Sequence, residues 1–272
     1  MAAELIRIAS DLHYGDRSTR VLRLTQLRPL AEGVGLLVLN GDVLDTRRGP
    51  APDFTAACRA EVTDFFARLG PPVRFLTGNH DPDFAAEHAL DLAGGRVFVT
   101  HGDLVFDEIV PWALDASRIR RLVLERLGPQ PRPGALEEQL AGLRAIAATL
   151  PQRHQSERNR WKYLFGLAVD TAWPPWRASR IFRAWWVHPD RIRALARRHR
   201  PAAQFALVGH THWPGIWRSA PGPVVINTGS FCRPMGGLVA DLAAGSLTVR
   251  RVRLVRGEFR PDRVVARFAL RD

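Results

Sequence analysis

At five places along the chain, an apolar stretch of strand length ends in a short polar loop. The predicted strands are residues 4–10, 34–39, 73–77, 96–100 and 204–208. Within the first hundred residues, segments with helical spacing of apolar residues separate them, at 21–30, at 53–69 and as a short helix near 83–90. Alternating strand, polar loop and helix predict an α/β fold, in which chemistry is usually built where strands end.

Composition and pattern change between about residues 107 and 200. Apolar residues there follow helical spacing, as at Leu136, Leu140 and Leu143, and strand-like stretches disappear from the sequence. Six of the eight tryptophans and many arginines fall in this segment. Short predicted strands resume at 224–227, 237–241 and 246–255. We therefore expect a core domain of residues 1–106 and 201–272, interrupted by a helical insertion or cap at 107–200.

The polar loops carry side chains that bind metal ions. They are Asp11-x-His13, Gly41-Asp42-x-x-Asp45, Gly78-Asn79-His80-Asp81, His101-Gly102-Asp103 and Gly209-His210-Thr211-His212. Imidazole and carboxylate donors without cysteine suit Mn, Fe or Zn better than they suit a thiolate-type site. Six or seven such donors exceed the needs of one ion, whereas two ions about 3.5–4 Å apart that share a carboxylate would use all of them.

Each loop taken alone has a simpler explanation, because a polar residue beside a glycine is usually only a turn former. Five of the nine histidines of the chain nevertheless lie in these loops. The recurrence of compatible donors at five predicted strand ends favours a metal site over five unrelated turns.

Charge and cysteine content limit which partners and which cellular compartment suit this chain. The formal net charge is +12, from 39 Lys and Arg against 27 Asp and Glu. A genome-wide bias toward arginine would explain this excess of positive charge. Attraction to phosphate-bearing or membrane-surface partners would explain it equally well. Cys58 and Cys232 are far apart, in no metal-like spacing, which fits a reducing compartment.

The sequence contains no signal for export or for membrane insertion. Residues 2–10 have the pattern of a first strand rather than of a signal peptide, and no apolar run approaches ~18 residues. We expect a cytoplasmic protein without a transmembrane segment, and peripheral membrane contact stays open.

Taken in order, the five loops resemble the motifs of the calcineurin-like metallophosphoesterases. The resemblance covers residues 1–106 and 201–255. It implies a two-sheet β-sandwich flanked by helices, in a four-layer αββα arrangement, with a site for two divalent metal ions. Mn is the expected metal, with Fe or Zn as alternatives. One ion is implied on Asp11, His13 and His212, and the other on Asn79, His101 and His210, with Asp42 between them.

The resemblance also implies an activity, namely hydrolysis of a phosphoester or pyrophosphate bond through attack by a metal-bridging hydroxide. His80 follows the ligand Asn79 and is the candidate proton donor to the leaving group, or a clamp on the phosphate. Asp81 is the candidate carboxylate that orients His80 by accepting a ring N–H. Asp45 is the candidate partner of a metal-binding histidine.

The substrate stays open at this stage. The helical insertion resembles that of the UDP-2,3-diacylglucosamine hydrolases of lipid A synthesis, which cleave a pyrophosphate, but those enzymes usually have arginine at the position of His80. We expect a phosphate-containing small molecule or a lipid-linked substrate, with Trp213 as a candidate contact. A nuclease, for which the charge is weak support, and a non-catalytic scaffold are the alternatives. The other four histidines are expected to be surface or structural residues: His88, His154, His188 and His199.

Overall fold

The computed structural model describes residues 4–152, residue 166 and residues 173–271. In chain order its strands are β1 Ile6–Ala9, β2 Leu36–Asn40, β3 Val73–Leu76, β4 Ala89–Leu92, β5 Val97–Thr100, β6 Phe205–Val208, β7 Gly215–Trp217, β8 Val224–Asn227, β9 Leu238–Ala243, β10 Ser246–Val255 and β11 Glu258–Ala269. Its α-helices are α1 Pro52–Ala67, α2 Ala116–Leu127, α3 Leu136–Ala147 and α4 Pro175–His199, and its 3₁₀ helices are Leu24–Leu30 and Asp103–Val105.

The strands form two mixed sheets. One sheet has the order β11-β10-β9-β1-β2-β3, and the other has the order β4-β5-β6-β8-β7. In the first sheet β1, β2 and β3 run parallel, and in the second β5, β6 and β8 run parallel. The carboxyl ends of parallel strands lie at one edge of a sheet, so the loops after these strands gather there.

Burial of apolar residues on both faces of both sheets produces four layers. Between the sheets, Ile8 and Val38 of the first pack in one cluster with Val99 and Leu207 of the second. Since successive residues of a strand point to opposite faces, Leu37 and its neighbours pack outward against the 3₁₀ helix Leu24–Leu30 and α1. The predicted two-sheet sandwich flanked by helices is confirmed.

The second sheet carries the helices α2, α3 and α4 on its outer face. Phe98 of β5 and Val208 of β6 share one buried cluster with apolar residues of α2, α3 and α4. These helices fall within the predicted insertion 107–200, whose exact bounds stay a prediction. Residues 153–165 and 167–172, with His154 and Trp161, lie outside the described residues. None of the helices described is both long and apolar enough to cross a bilayer.

The predicted helix near 83–90 is wrong. This segment instead leads into β4, which pairs antiparallel with β5. The Thr77 N–H donates to Glu87 O over 2.9 Å, so the segment is held in extended form beside the end of β3. Its apolar residues have helical spacing, but pairing with the neighbouring strands through backbone hydrogen bonds makes the segment extended. Three strands, β4, β7 and β11, were not predicted as strands. The first predicted helix is the shorter 3₁₀ helix Leu24–Leu30.

A buried ion pair joins α3 to the loop that follows β5. Arg144 of α3 binds both carboxylate oxygens of Asp103, and its Nη2 lies 2.8 Å from Oδ1. Arg144 Nε also donates to the Thr77 hydroxyl over 2.9 Å. Burial by itself would raise the pKa of Asp103, but the Arg144 guanidinium holds it at about 2. One arginine therefore ties α3 to the loops that follow β3 and β5.

Replacing Arg144 by alanine should lower the free energy of unfolding by about 3–5 kcal/mol, because it leaves the buried Asp103 carboxylate without its counter-charge. Urea unfolding of wild type and Arg144→Ala measures the change. The control is Arg68→Ala, since Arg68 pairs with Asp64 at the surface and its loss should matter far less. Equal effects of the two substitutions would contradict the anchoring role of Arg144.

Candidate metal centre

The first group of donors lies where the loops after β1, β2 and β6 meet. His13 Nε2 is 3.0 Å from His212 Nε2 and 3.6 Å from Asp42 Oδ2. His212 Nε2 is 3.3 Å from Asp11 Oδ1. Asp11, His13 and Asp42 are buried, while His212 is partly exposed at the rim. Four nitrogen and oxygen donors from three loops are therefore in one place.

The second group shares Asp42 with the first. His101 Nε2 lies 3.3 Å from Asp42 Oδ2 and 3.3 Å from Asn79 Oδ1. His210 Nδ1 lies 2.8 Å from the same Asn79 oxygen. All four side chains are at least 97% buried, since the exposed fraction of His210, the largest, is 3%.

The spacing of these atoms fits metal binding. Two donors bound to one ion at about 2.1 Å lie about 3.0–3.4 Å from each other, and most of the separations above fall near this range. Oxygen and imidazole donors in two sets that share a carboxylate suit two divalent ions of the Mn, Fe or Zn type. The seven residues predicted as ligands are thus all brought together.

The backbone at the donors is unusual. Nine non-glycine residues of the described chain have positive φ, and five of them are predicted ligands: Asp11, His13, Asp42, His210 and His212, with φ between 48° and 67°. Residues with a Cβ seldom adopt this left-handed region. Such conformations cost of order 1–3 kcal/mol each and cluster at functional sites, where the surrounding structure holds them.

Two glycines allow the loops to approach one another. A Cβ at Gly78 would overlap the carboxylate of Asp42, and a Cβ at Gly209 would overlap that of Asp11. In both cases the missing side chain provides the space that a donor occupies. Any larger residue at either position would push the loop away from the site.

Backbone carbonyl groups fix the two buried rings of the second group. His101 Nδ1 donates to Asn40 O over 3.1 Å, and His210 Nε2 donates to Ile109 O over 2.9 Å. Because a carbonyl oxygen can only accept, these contacts determine where each ring carries its proton. His101 Nε2 and His210 Nδ1 are then the nitrogens that face the site, and each would bind an ion in its unprotonated form.

His80 lies beside the donors, in contact with an acidic and a basic residue. One of its ring nitrogens is within 4.8 Å of ligand atoms of His13 and Asp42. Its Nδ1 donates to Asp45 Oδ2 over 2.9 Å, and Arg47 binds the same carboxylate through Nε and Nη2. Arg47 Nη2 is also 2.7 Å from His80 Nδ1. Because an ionised carboxylate can only accept, we assign the ring proton of His80 to the bond with Asp45, which also accepts from Arg47.

This pairing affects both titrating groups. Burial, followed by the nearby Arg47 guanidinium, lowers the pKa of His80 below its ordinary value. Burial alone would raise the pKa of Asp45, but His80 and Arg47 together lower it, so Asp45 stays ionised. His80 Nδ1 is thus occupied, and Nε2 is the nitrogen left for chemistry.

Asp81 does not have the predicted partner. Its Oδ1 accepts from the backbone N–H groups of Gly78 and Asp42, over 2.6 and 3.0 Å, and its Oδ2 accepts from Val43 N over 2.6 Å. Burial and the Asp42 carboxylate raise the pKa of Asp81 to about 6, against these donors, which lower it. The prediction that Asp81 orients His80 is therefore wrong, and Asp45 occupies that position.

Several residues at the site were not predicted from sequence. The sequence could have indicated Arg47, because this residue lies two positions after Asp45. Cys232 could not, since no spacing links it to a histidine, yet its sulfur lies within 4.8 Å of ring nitrogens of His13 and His212. Trp185 Nε1 donates to Thr211 O over 2.9 Å and the indole stacks on Trp213 at 4.3 Å.

His188 is buried rather than at the surface. Its ring stacks on Phe106, and its Nε2 donates to Gly102 O over 3.3 Å. Burial, followed by repulsion from His210, lowers the pKa of His188 to about 3, so it stays neutral. Its expected structural role agrees with these contacts.

Comparison with known proteins gives one family and several similar structures. The sequence profile of the calcineurin-like phosphoesterases matches residues 5–214. Vacuolar Protein Sorting 29 from Cryptosporidium parvum has 11% identity and a TM-score of 0.43, covering 99% of this chain and 100% of that chain. A dimetal phosphatase from Danio rerio has 12% identity and a TM-score of 0.46, covering 92% of this chain and 96% of that chain. None of the curated proteins compared matches the sequence.

Binding of divalent ions at pH 7 should release about two protons per chain. Burial would lower the pKa values of His13 and His101, but Asp11 and Asp42 raise them to about 9 and about 10, so both rings are protonated in the metal-free protein. Metal affinity should accordingly rise with pH as these protons become easier to remove. Calorimetric titration with Mn²⁺ in buffers of different ionisation enthalpy measures the release. Binding without buffer dependence would contradict protonated rings.

Proposed function

Because this chain belongs to the calcineurin-like phosphoesterase family, we propose that it is a hydrolase of phosphoester or phosphoanhydride bonds that uses two divalent metal ions. The observation that carries the proposal is the pair of donor sets that share Asp42. Each set has two imidazole rings and at least one further oxygen donor at separations suited to one ion. A chain under no demand for chemistry would have little reason to hold so many strained, buried donors together.

In this proposal Asp11, His13 and His212 hold one ion, Asn79, His101 and His210 hold the other, and Asp42 contacts both. When bound, the ions supply Lewis acidity toward phosphoryl oxygens and a water of lowered pKa as nucleophile. We expect Mn²⁺ to serve, with Fe or Zn as alternatives. The surrounding residues hold the donors in place through backbone hydrogen bonds, as for the His101 and His210 rings.

His80 is the residue proposed to act on the leaving group. The Asp45 carboxylate holds its Nδ1–H, which fixes the ring and leaves Nε2 toward the substrate side. Once Nε2 has bound a second proton, it can pass that proton to the leaving oxygen or donate it to a phosphoryl oxygen, and the lowered pKa of His80 makes the proton easy to give up. Asp81 has a supporting role, because it fixes the backbone of the loops that carry Asp42 and Asn79.

An aromatic surface beside the fifth loop supports a substrate with an apolar or aromatic part. Trp213 follows His212 directly, is 41% exposed and stacks on Trp185, and the Phe182 ring meets Trp185 edge-on. The helix α4, which carries Trp185, also has arginines at positions 177, 180 and 183, and these add positive charge. We propose a phosphate-containing small molecule or a lipid-linked phosphate as substrate, handled in the cytoplasm or at a membrane surface.

Metal-dependent hydrolysis of bis-p-nitrophenyl phosphate tests the activity. Protein stripped with chelator should be inactive, and addition of Mn²⁺ should restore turnover together with about two ions per chain. Metal content is measured alongside release of nitrophenolate. Full metal occupancy without any hydrolysis would favour a scaffold that has kept the fold, and would overturn the proposed activity.

The same assay addresses the substrate class with UDP-acylglucosamine, cyclic nucleotides and short oligonucleotides. Preference for the acylated sugar nucleotide would agree with the aromatic surface. Preference for oligonucleotides would instead favour a nuclease.

Replacing His80 by alanine should reduce turnover of esters with alkyl leaving groups by about 10²–10⁴-fold, because their leaving oxygen needs a proton. p-Nitrophenyl esters, whose leaving group needs none, should lose much less. Metal content of His80→Ala should match wild type, and His199→Ala, on α4, is the control. Loss of metal from His80→Ala would show that His80 is a ligand, and equal losses for both ester types would rule out proton donation.

A further inference from the structure

Cys232 is held beside the first donor set by the backbone on both sides of it. The Phe231 N–H donates to Asp11 O over 3.0 Å, and the Arg233 N–H donates to Ser18 O over 2.9 Å. Cys232 itself is 2% exposed. The position of its sulfur therefore follows from main-chain hydrogen bonds to the loop after β1, which also carries Asp11.

The sulfur lies within ligand distance of two histidines of that set. Cys232 Sγ and ring nitrogens of His13 and His212 are all within 4.8 Å of one another. At metal–sulfur and metal–nitrogen bonds of about 2.3 and 2.1 Å, two donors on one ion are about 3.1–4.4 Å apart. The 4.8 Å limit on the three separations lies close to the upper end of this range.

Burial and nearby carboxylates raise the pKa of the Cys232 thiol in the metal-free protein, and one hydroxyl group opposes them. Ser18 Oγ donates to Cys232 Sγ over 3.1 Å. Donors of this kind around a metal ligand orient it and stabilise its anionic form. Cys58, by comparison, lies in α1 and belongs to the apolar cluster on the outer face of the first sheet.

We propose that Cys232 is a sulfur ligand of the ion bound by His13 and His212. On binding, the S–H bond breaks, its proton passes to solvent in addition to those released from His13 and His101, and the sulfur electron pair forms the bond to the ion. The two ions would then differ, one with a sulfur donor and the other with nitrogen and oxygen donors only. Thiolate ligation favours Zn or Fe over Mn at that position. The inference rests on the two-ion site of the proposed function.

Cobalt substitution of the metal-stripped full chain tests this ligand. Wild type and Cys58→Ser loaded with Co²⁺ should both show a thiolate-to-cobalt charge-transfer band in the near ultraviolet. Cys232→Ser should lose that band while the visible absorption of bound Co²⁺ remains. Cys58→Ser is the matched control, because Cys58 is the other of the two cysteines and is also buried.

X-ray absorption of wild-type protein loaded with Zn²⁺ gives a readout that needs no variant. A sulfur neighbour at about 2.3 Å is expected beside the nitrogen and oxygen shell. A spectrum without that neighbour, or a charge-transfer band that persists in Cys232→Ser, overturns the sulfur ligand. If wild type shows the visible absorption of bound Co²⁺ without any charge-transfer band, Cys232 is ruled out as a ligand. The proposed two-ion site is unaffected by that result. Failure of wild type to bind Co²⁺ and Zn²⁺ overturns both proposals.

Discussion

The buried carboxylate of Asp42 is the group on which the arrangement of this molecule depends. Its Oδ1 accepts the His80 backbone N–H over 2.8 Å, and its Oδ2 lies 3.3 Å from His101 and 3.6 Å from His13. A buried charge is tolerated only when opposite charges or hydrogen bonds surround it. The partners of Asp42 come from strands of both sheets, so the sandwich has to bring their ends together. Gly78 lacks a side chain where this carboxylate lies, so that the approach is sterically allowed.

Polar residues that bind no ion in the proposed site hold its loops in position. Asp81 joins the second and third loops through three backbone N–H groups. Asn227 donates to Gly209 O and to the Thr211 hydroxyl, over 2.7 and 2.9 Å, and so fixes the fifth loop. Arg144 connects the insertion to the third and fourth loops through Thr77 and Asp103. A site held in this way needs little reorganisation when ions or substrate bind.

The α/β pattern and the five polar loops could be predicted because both leave local marks, whereas the two-sheet sandwich and the set of seven donors were implied by the family that the ordered loops resemble. Apolar runs of strand length identify the core strands, and each donor lies within a few residues of a strand end. The errors concern contacts between distant segments. Residues 83–90 have helical spacing but become extended beside the end of β3 and lead into β4. Asp81 is adjacent to His80 in sequence, yet the carboxylate that binds the His80 ring is Asp45, from the loop after β2. Cys232 reaches His13 only through folding, which no motif spacing reveals.

The left-handed backbone at five of the donors has an evolutionary consequence. Glycine or asparagine adopts such φ values at lower cost than aspartate or histidine does. Exchange to glycine at Asp11, His13 or His212 would therefore relax the chain and remove a metal donor in the same step. Selection for a more stable fold and selection for catalysis act in opposite directions at these positions. A related protein that is no longer selected for catalysis should lose its donors at these positions first. Its fold should be more stable as a result.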